Sequence, residues 1–202
     1  CTNEVIEFVA QSRRFVPHFH MPLQSGNDKQ LRMMRRRYRR ALYADRVATI
    51  RSLMPHCCIG VDVIVGFPGE TRDDFLETYR FLNELDISYL HVFTYSERAN
   101  TPAATMDGRV DMGERRERNR MLQILSDKKR RRFYEQHLGQ IRNVLFEQSK
   151  TAGLMSGFTD NYIRIEAPLD EARLNTIAPV RLQAINEQGH VAAAIHPATE
   201  MA

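Results

Sequence analysis

The chain has 202 residues, 43% hydrophobic and 27% charged, with a formal net charge of +4 and a pI near 9.1. That composition excludes a disordered or collagen-like chain, and the lack of any run of about 18 apolar residues excludes a membrane-spanning helix. Three cysteines, Cys1 and the adjacent Cys57 and Cys58, offer neither a disulfide framework nor a CxxC metal pair, so a reducing, cytoplasmic setting is expected, with Cys57 and Cys58 as small apolar residues entering a strand.

The opening "CTNE" is neither an initiator methionine nor a basic-then-apolar leader, and the sequence is read as starting in mid-protein. Val5, Ile6 and Val9 share one helical face over residues 3–12, behind Thr2 as N-cap. Residues 15–23 read as a short strand ending in "PLQSG". A helical stretch follows over about 28–53, which the arginine run can interrupt. The next strand, 59–67, runs into "GFPGET". A helix over 71–85 then carries Phe75, Leu76, Tyr79, Phe81 and Leu82 on its apolar side, with Thr71 and Asp74 as a capping pair. "YLHVFTY" at 89–95 forms a third strand. The polar loop "SERANTPAATMDGRV" leads from it into a long helix over 112–138, stopped by Gly139.

Alternating strands and helices with near-continuous apolar strands predict an α/β unit with a parallel sheet covered by helices. Ligands then bind where the strands end, at "PLQSG", "GFPGE" and "YSERANTPA", which should face one cavity. Three such units make about half of a TIM-like barrel. After Gly139 come five short β-type runs, "IRNVLFEQ", "LMSGFT", "NYIRIEA", "APVRLQAI" and "HVAAAI", which predict a small antiparallel OB-like barrel. The domains are accordingly placed at 1–139 and 140–202.

"GFPGET" is not a phosphate-binding P-loop, because Gly69 is followed by Glu70 and Thr71 rather than by Lys and a hydroxyl residue. Arg35, Arg36, Arg37, Arg39 and Arg40 surround Tyr38, a cluster suited to RNA phosphates. "KKRRR" at 128–132 has the same chemistry, but Glu114, Glu117 and Asp127 in its helix make a solvated face with i,i+4 pairs an equal reading. In the small barrel Phe158, Tyr162 and Arg164 are candidates for an RNA-binding face, with core positions for the two rings as the alternative. His18, His20 and His91 need no catalytic role; His20 and His91 lie in strands, where hydrogen-bonded packing is expected.

The motifs "HMPLQSGNDKQLRMMRRRYRR", "DVIVGFPGET" and "HVFTYSERANTPAA", in this order and followed by "GFTDNYIRI", resemble the C-terminal half of the radical S-adenosylmethionine methylthiotransferases over almost the whole chain. The last domain resembles a TRAM domain. The resemblance implies the second half of an incomplete radical SAM barrel and insertion of a methylthio group into an unactivated C–H bond. It also implies two 4Fe-4S clusters whose cysteine ligands lie outside this chain, so the chain resembles a fragment without chemistry of its own. The resemblance further implies that S-adenosylmethionine is walled by Ile64, approached by the backbone at Gly66 and Gly69, hydrogen-bonded by Gln24 and Ser25, and flanked by Tyr95 and Ser96. The generic pattern has glycine where this strand has Asp62, and its acid falls one place before Glu70, so Glu70 reads equally as a helix cap.

Two function classes follow. One is part of an enzyme that methylthiolates the hypermodified adenosine of a tRNA anticodon arm, with the missing N-terminal half of the same polypeptide as partner. The other is an RNA-binding module without catalysis. Family members act on N6-threonylcarbamoyladenosine, on N6-isopentenyladenosine or on a ribosomal protein; "LHVFTYSERANTPAA" and "RRRYRR" resemble most the threonylcarbamoyladenosine, MtaB-type branch.

Overall fold

The computed structural model describes residues 1–196, so the final six residues of the expected barrel domain lie outside the described residues. Two compact units emerge, Cys1–Ser12 with Phe19–Arg130, and Arg13–His18 with Arg131–Ala202. Among the described residues no helix is long and apolar enough to cross a membrane.

The α/β elements, in chain order, are α1 (Asn3–Gln11), β1 (His18–Gln24), α2 (Asp28–Met33), α3 (Arg40–Leu53), β2 (Cys58–Val65), α4 (Arg72–Glu84), β3 (Tyr89–Thr94) and α5 (Met112–Glu135). The sheet has the order β1-β2-β3, and β2 and β3 are parallel, with Gly60 opposite Tyr89 and Val65 opposite Thr94. Ile59, Val61, Val63 and Val65 are buried in one core with Leu23, Ile50, Phe75, Leu82, Leu90, Leu122 and Leu125. Their alternates Asp62 and Ile64 are only half-buried, so β2 has one helix-covered face and one more open face. Each fully buried Val or Ile on the covered face contributes about 1.5–3 kcal/mol.

Local signals explain most of the boundaries. Thr71 and Asp74 form a reciprocal capping box at the start of α4, which satisfies two orphan backbone donors. Thr2 sits at the N-cap of α1 but makes no side-chain cap bond. The arginine run does break the long helical stretch: Arg35 has φ +55°, and the Arg36 N–H closes α2 on the Leu31 carbonyl at 2.8 Å. Tyr38 anchors the run, its hydroxyl lying 2.9 Å from the Leu23 carbonyl. Helix α5 stops at Glu135, short of Gly139, whose N–H instead joins the Leu182 carbonyl at 2.7 Å.

The second unit holds a closed five-stranded barrel, β4 (Ile141–Gln148), β5 (Leu154–Thr159), β6 (Arg164–Pro168), β7 (Ile177–Ile185) and β8 (Val191–Ile195), in the order β4-β5-β6-β8-β7. Pairings are antiparallel except β6 with β8, consistent with an OB-type fold. Val144, Phe146, Met155, Ile165, Val180 and Val191 fill it with no exposed surface. "NYIRIEA" becomes strand only at Arg164, because Asn161 and Tyr162 belong to a tight turn. Thr159 Oγ1 donates to Asn161 Oδ1 at 2.7 Å and accepts the Ile163 N–H at 2.8 Å. Tyr162 sits there at φ +65°, a left-handed conformation that costs a non-glycine residue about 1–3 kcal/mol.

Candidate functional site

The turn after β2 is a closed loop. Gly66 and Gly69 have φ of +75° and +77°, the freedom that the sequence assigns to glycine there. The Gly66 N–H donates to Glu70 Oε1 at 3.1 Å and the Gly69 N–H to the Gly108 carbonyl at 2.8 Å. Glu70 therefore closes its own turn and does not cap α4. Arg118 reaches its carboxylate at 2.6 Å and its carbonyl at 3.0 Å, then bonds Glu114 at 2.7 Å. Burial pushes the Glu70 carboxyl above its ordinary range, against the pull of the Gly66 N–H and Arg118.

One turn earlier on α5, the fully buried Arg115 binds the Val110 carbonyl at 2.9 Å, the Tyr95 carbonyl at 2.9 Å and Glu97 at 2.8 Å. Its hydrogen bond holds the Glu97 carboxyl down to about 2. Two helix arginines thus hold the turn after β2 and the loop after β3. A Cβ on Gly66 would lie 2.4 Å from Arg115 Cγ, and one on Gly69 would lie 2.6 Å from Met33 Cε. The protein's own side chains, rather than open rim space, fill what these glycines leave. Gly66→Val is expected to displace Arg115 and destabilise the unit by about 1–3 kcal/mol, read as a lowered thermal midpoint.

A cleft of about 490 Å³ lies at these strand ends, lined by Met33, Met34, Arg35 and Arg36 after α2, by Ile64 and Phe67, and by Thr101, Pro102, Ala103 and Met106. Of the residues assigned to the cofactor, Ile64 lines it. Tyr95 packs edge-on against Phe67 at 5.3 Å, and its hydroxyl is buried without a hydrogen-bond partner. Gln24 is 9% exposed at φ +75°. Ser25 is engaged within the fold, its hydroxyl 3.2 Å from Thr78 Oγ1 and accepting the Asn27 N–H at 3.2 Å. Ser96 is exposed. Arg115, Arg118 and Glu97 are the residues that sequence reasoning missed, although positions 115, 118, 122 and 125 form one helical stripe with the buried Leu122 and Leu125.

The two basic runs differ. Arg35, Arg36, Arg37 and Arg39 are exposed and make no ion pair among the described residues, and Arg32, Arg36, Arg37, Tyr38 and Arg39 line a second cleft of about 520 Å³. Arg40 is held instead by Glu77 at 2.5 Å, its N–H donating to Asp28 at 2.9 Å. In the 128–132 run, Lys129 binds the Leu85 carbonyl at 2.7 Å, Arg130 pairs with Asp127 and Arg131 with Glu135. Three of the five cations of that run are thus engaged within the fold. His20 lies 2.9 Å from Asp62, the bonded packing role expected of it.

In the barrel unit Phe158 and Tyr162 are both at the surface, 36% and 40% exposed, and stack at 4.7 Å; the Arg164 guanidinium lies 5.9 Å from the Phe158 ring centre. Cys57 and Cys58 are buried, with burial pushing both thiols up to about 12. Among the described residues no three His, Cys, Asp or Glu side chains gather as a metal-binding set.

Residues 1–82 match the model of the radical SAM superfamily. The chain is 37% identical over 185 residues to the threonylcarbamoyladenosine tRNA methylthiotransferase MtaB of Bacillus subtilis, covering 90% of this chain and 41% of the relative. It is 37% identical over 183 residues to the tRNA-2-methylthio-N(6)-dimethylallyladenosine synthase of Symbiobacterium thermophilum, covering 90% and 39%. With the MtaB of Aquifex aeolicus it shares 39% identity over 165 residues, covering 81% and 39%. The chain spans about two-fifths of the length of these curated relatives. The chain thus matches a radical SAM model over its first strands, ends in a closed OB-type barrel, and over most of its length is similar to relatives named as tRNA methylthiotransferases and a 2-methylthio-dimethylallyladenosine synthase.

Proposed function

We propose that this chain is the C-terminal part of a radical SAM tRNA methylthiotransferase that places a 2-methylthio group on N6-threonylcarbamoyladenosine beside the anticodon. In this reading residues 1–139 are the second half of an incomplete radical SAM barrel, completed by the N-terminal half of the same polypeptide. Residues 140–202 are a TRAM-type domain for the tRNA anticodon arm. The carrying observation is 37% identity across 90% of the chain to a relative named for that nucleoside. Equal identity to a dimethylallyladenosine synthase favours a second reading, the same reaction on the isopentenylated base.

S-Adenosylmethionine suits the strand-end site on two grounds: Ile64 and Phe67 give the cleft an apolar wall, and Tyr95, packed edge-on against Phe67, has a buried hydroxyl with no hydrogen-bond partner. Gln24, Ile64, Tyr95, Ser96 and the backbone at Gly66 and Gly69 would hold it, with Ser25 behind them and Arg115 and Arg118 fixing the loops. When bound and given one electron by a cluster held elsewhere in the polypeptide, the cofactor would supply a carbon radical that takes hydrogen from an unactivated C–H bond, so the chain's residues would orient and enclose rather than act as bases. The described residues do not fit an iron–sulfur cluster, since Cys57 and Cys58 are buried with burial raising both thiols, and among the described residues no third His, Cys, Asp or Glu gathers with them as a metal-binding set. The ligands of both 4Fe-4S clusters would come from elsewhere in the polypeptide.

Nucleoside analysis of total tRNA from a strain lacking the gene tests the reading: the 2-methylthio form of threonylcarbamoyladenosine should vanish while that of isopentenyladenosine persists, and the reverse pattern selects the second reading. Exposed Arg36, Arg37 and Arg39 are assigned to tRNA phosphates, with Arg35 beside them and Arg40 reduced to a supporting role by Glu77. Replacing Arg36, Arg37 and Arg39 by Ala should weaken anticodon stem-loop binding and flatten log affinity against log salt by up to about one unit per lost contact. An unchanged slope would return the run to a solvated surface.

A further inference from the structure

The barrel unit carries a column of π-systems that its fold does not need for a core. His18, from the 13–18 segment of this unit, stacks on Tyr162 with ring centres 4.0 Å apart and planes 8° apart. Tyr162 stacks on Phe158 at 4.7 Å and 15°, and the Arg164 guanidinium stands over Phe158 at 5.9 Å. Phe158 and Arg164 are cross-strand partners on β5 and β6. Leu145 is the partner of Phe158 on β4 and of Ile177 on β7, and both aliphatic side chains are well exposed. The column therefore ends a surface stripe that crosses the strands of the barrel.

Tyr162, the middle ring, is already engaged by His18 and Phe158, so it buttresses the column and is not the surface a ligand meets. The adaptable contact is the last one. Arg164 is exposed and makes no ion pair among the described residues. A flat aromatic ligand between guanidinium and ring needs roughly 7 Å, two van der Waals separations of about 3.5 Å. The 5.9 Å gap reaches that with a small outward swing of a flexible side chain.

We propose that one unpaired RNA base inserts between the Phe158 ring and the Arg164 guanidinium, with Tyr162 and His18 holding Phe158 in place behind it. This deepens, and rests on, the proposed tRNA reading. Stacking rather than phosphate attraction is the term that fits, because acidic and basic side chains balance between residues 131 and 196. The β5–β6 face is also the face on which OB-type barrels take single-stranded nucleic acid. Aromatic stacking tolerates any base and is little screened by salt, in contrast with the arginine run.

The test uses the 202-residue chain and a single-stranded RNA heptamer carrying 2-aminopurine at its centre, with anisotropy reporting binding and 2-aminopurine emission reporting stacking. Binding should quench the emission. Phe158→Ala and Phe158→Leu should abolish the quench and weaken affinity roughly 5- to 150-fold without changing the salt slope. Arg164→Lys, which keeps the charge and loses the plane, should keep the slope and lose part of the quench. RNA that binds without quenching, or a quench that survives both Phe158 variants, overturns the base site and leaves the tRNA reading standing. No binding of the heptamer at low salt overturns the base site and leaves the tRNA reading to the nucleoside analysis.

Discussion

Arg118→Ala is expected to destabilise the α/β unit by about 3–5 kcal/mol, the cost of leaving one member of a buried ion pair alone. Glu70 and Arg118 are 5% and 6% exposed. Without the guanidinium, the Glu70 carboxylate keeps only the Gly66 N–H, whereas Glu114 is mostly exposed and returns to water. The pH dependence has a definite sign. Burial already raises the Glu70 carboxyl above its ordinary 4.5, and losing Arg118 raises it further. A raised carboxyl takes up a proton on folding, so stability falls as pH rises from the unfolded value through the folded one. The deficit of Arg118→Ala should therefore be largest at neutral pH and shrink on acidification toward 4.5. Replacing both partners, Glu70→Leu with Arg118→Met, should recover most of the loss. Native-state hydrogen exchange of the β2 and β3 amides isolates this unit; equal protection in Arg118→Ala and the parent would mean that the pair carries nothing.

In the barrel the most sensitive position is Gly157. It is buried on β5 opposite Phe146 of β4, and an added Cβ would sit 2.2 Å from the Leu145 carbonyl oxygen and 2.7 Å from Val144 Cγ1. The nearest atom is backbone, which cannot turn aside as a side chain can. Gly157→Ala must separate β4 from β5 or bend both, at about 3 kcal/mol, the upper end of ordinary overpacking. Gly153→Ala is the control: nothing lies within 4 Å of its Cβ, and only its φ of +75° is penalised, by about 1–2 kcal/mol. Calorimetry of the two variants separates the causes. If Gly157→Ala melts no lower than Gly153→Ala, close strand approach is not what requires glycine there.

Much of this was legible in the sequence because it depends on local physics. The 3.6- and 2-residue periods place α4, β2, β3 and the barrel strands, and Thr71 with Asp74 marks a helix start through bonds made within four residues. The sequence also separates the arginine run from its neighbours as a block of like charge. It does not separate Arg40, which Glu77 holds from 37 residues away, nor does it show that Arg130 and Arg131 pair with acids of their own helix while Lys129 binds a carbonyl at the end of α4.

What only the tertiary structure decided are the features in which a residue's meaning depends on a neighbour remote in the chain. Arg115 and Arg118 lie within "GERRERNR" and look like solvated charge, yet their stripe with Leu122 and Leu125 turns them inward, where the loops after β2 and β3 supply the acceptors that make burial tolerable. From the sequence, a side chain at Gly66 would intrude on a ligand; in the fold it would also meet Arg115. Phe158 and Tyr162 read equally as core or surface, because alternation alone does not say which face of a strand a closing barrel turns inward. The β4-β5-β6-β8-β7 closure turns Phe158 outward and brings His18, some 140 residues upstream, onto Tyr162. Sequence sets each residue's preferences within a few positions; the packing of distant segments sets which preference the residue is able to satisfy.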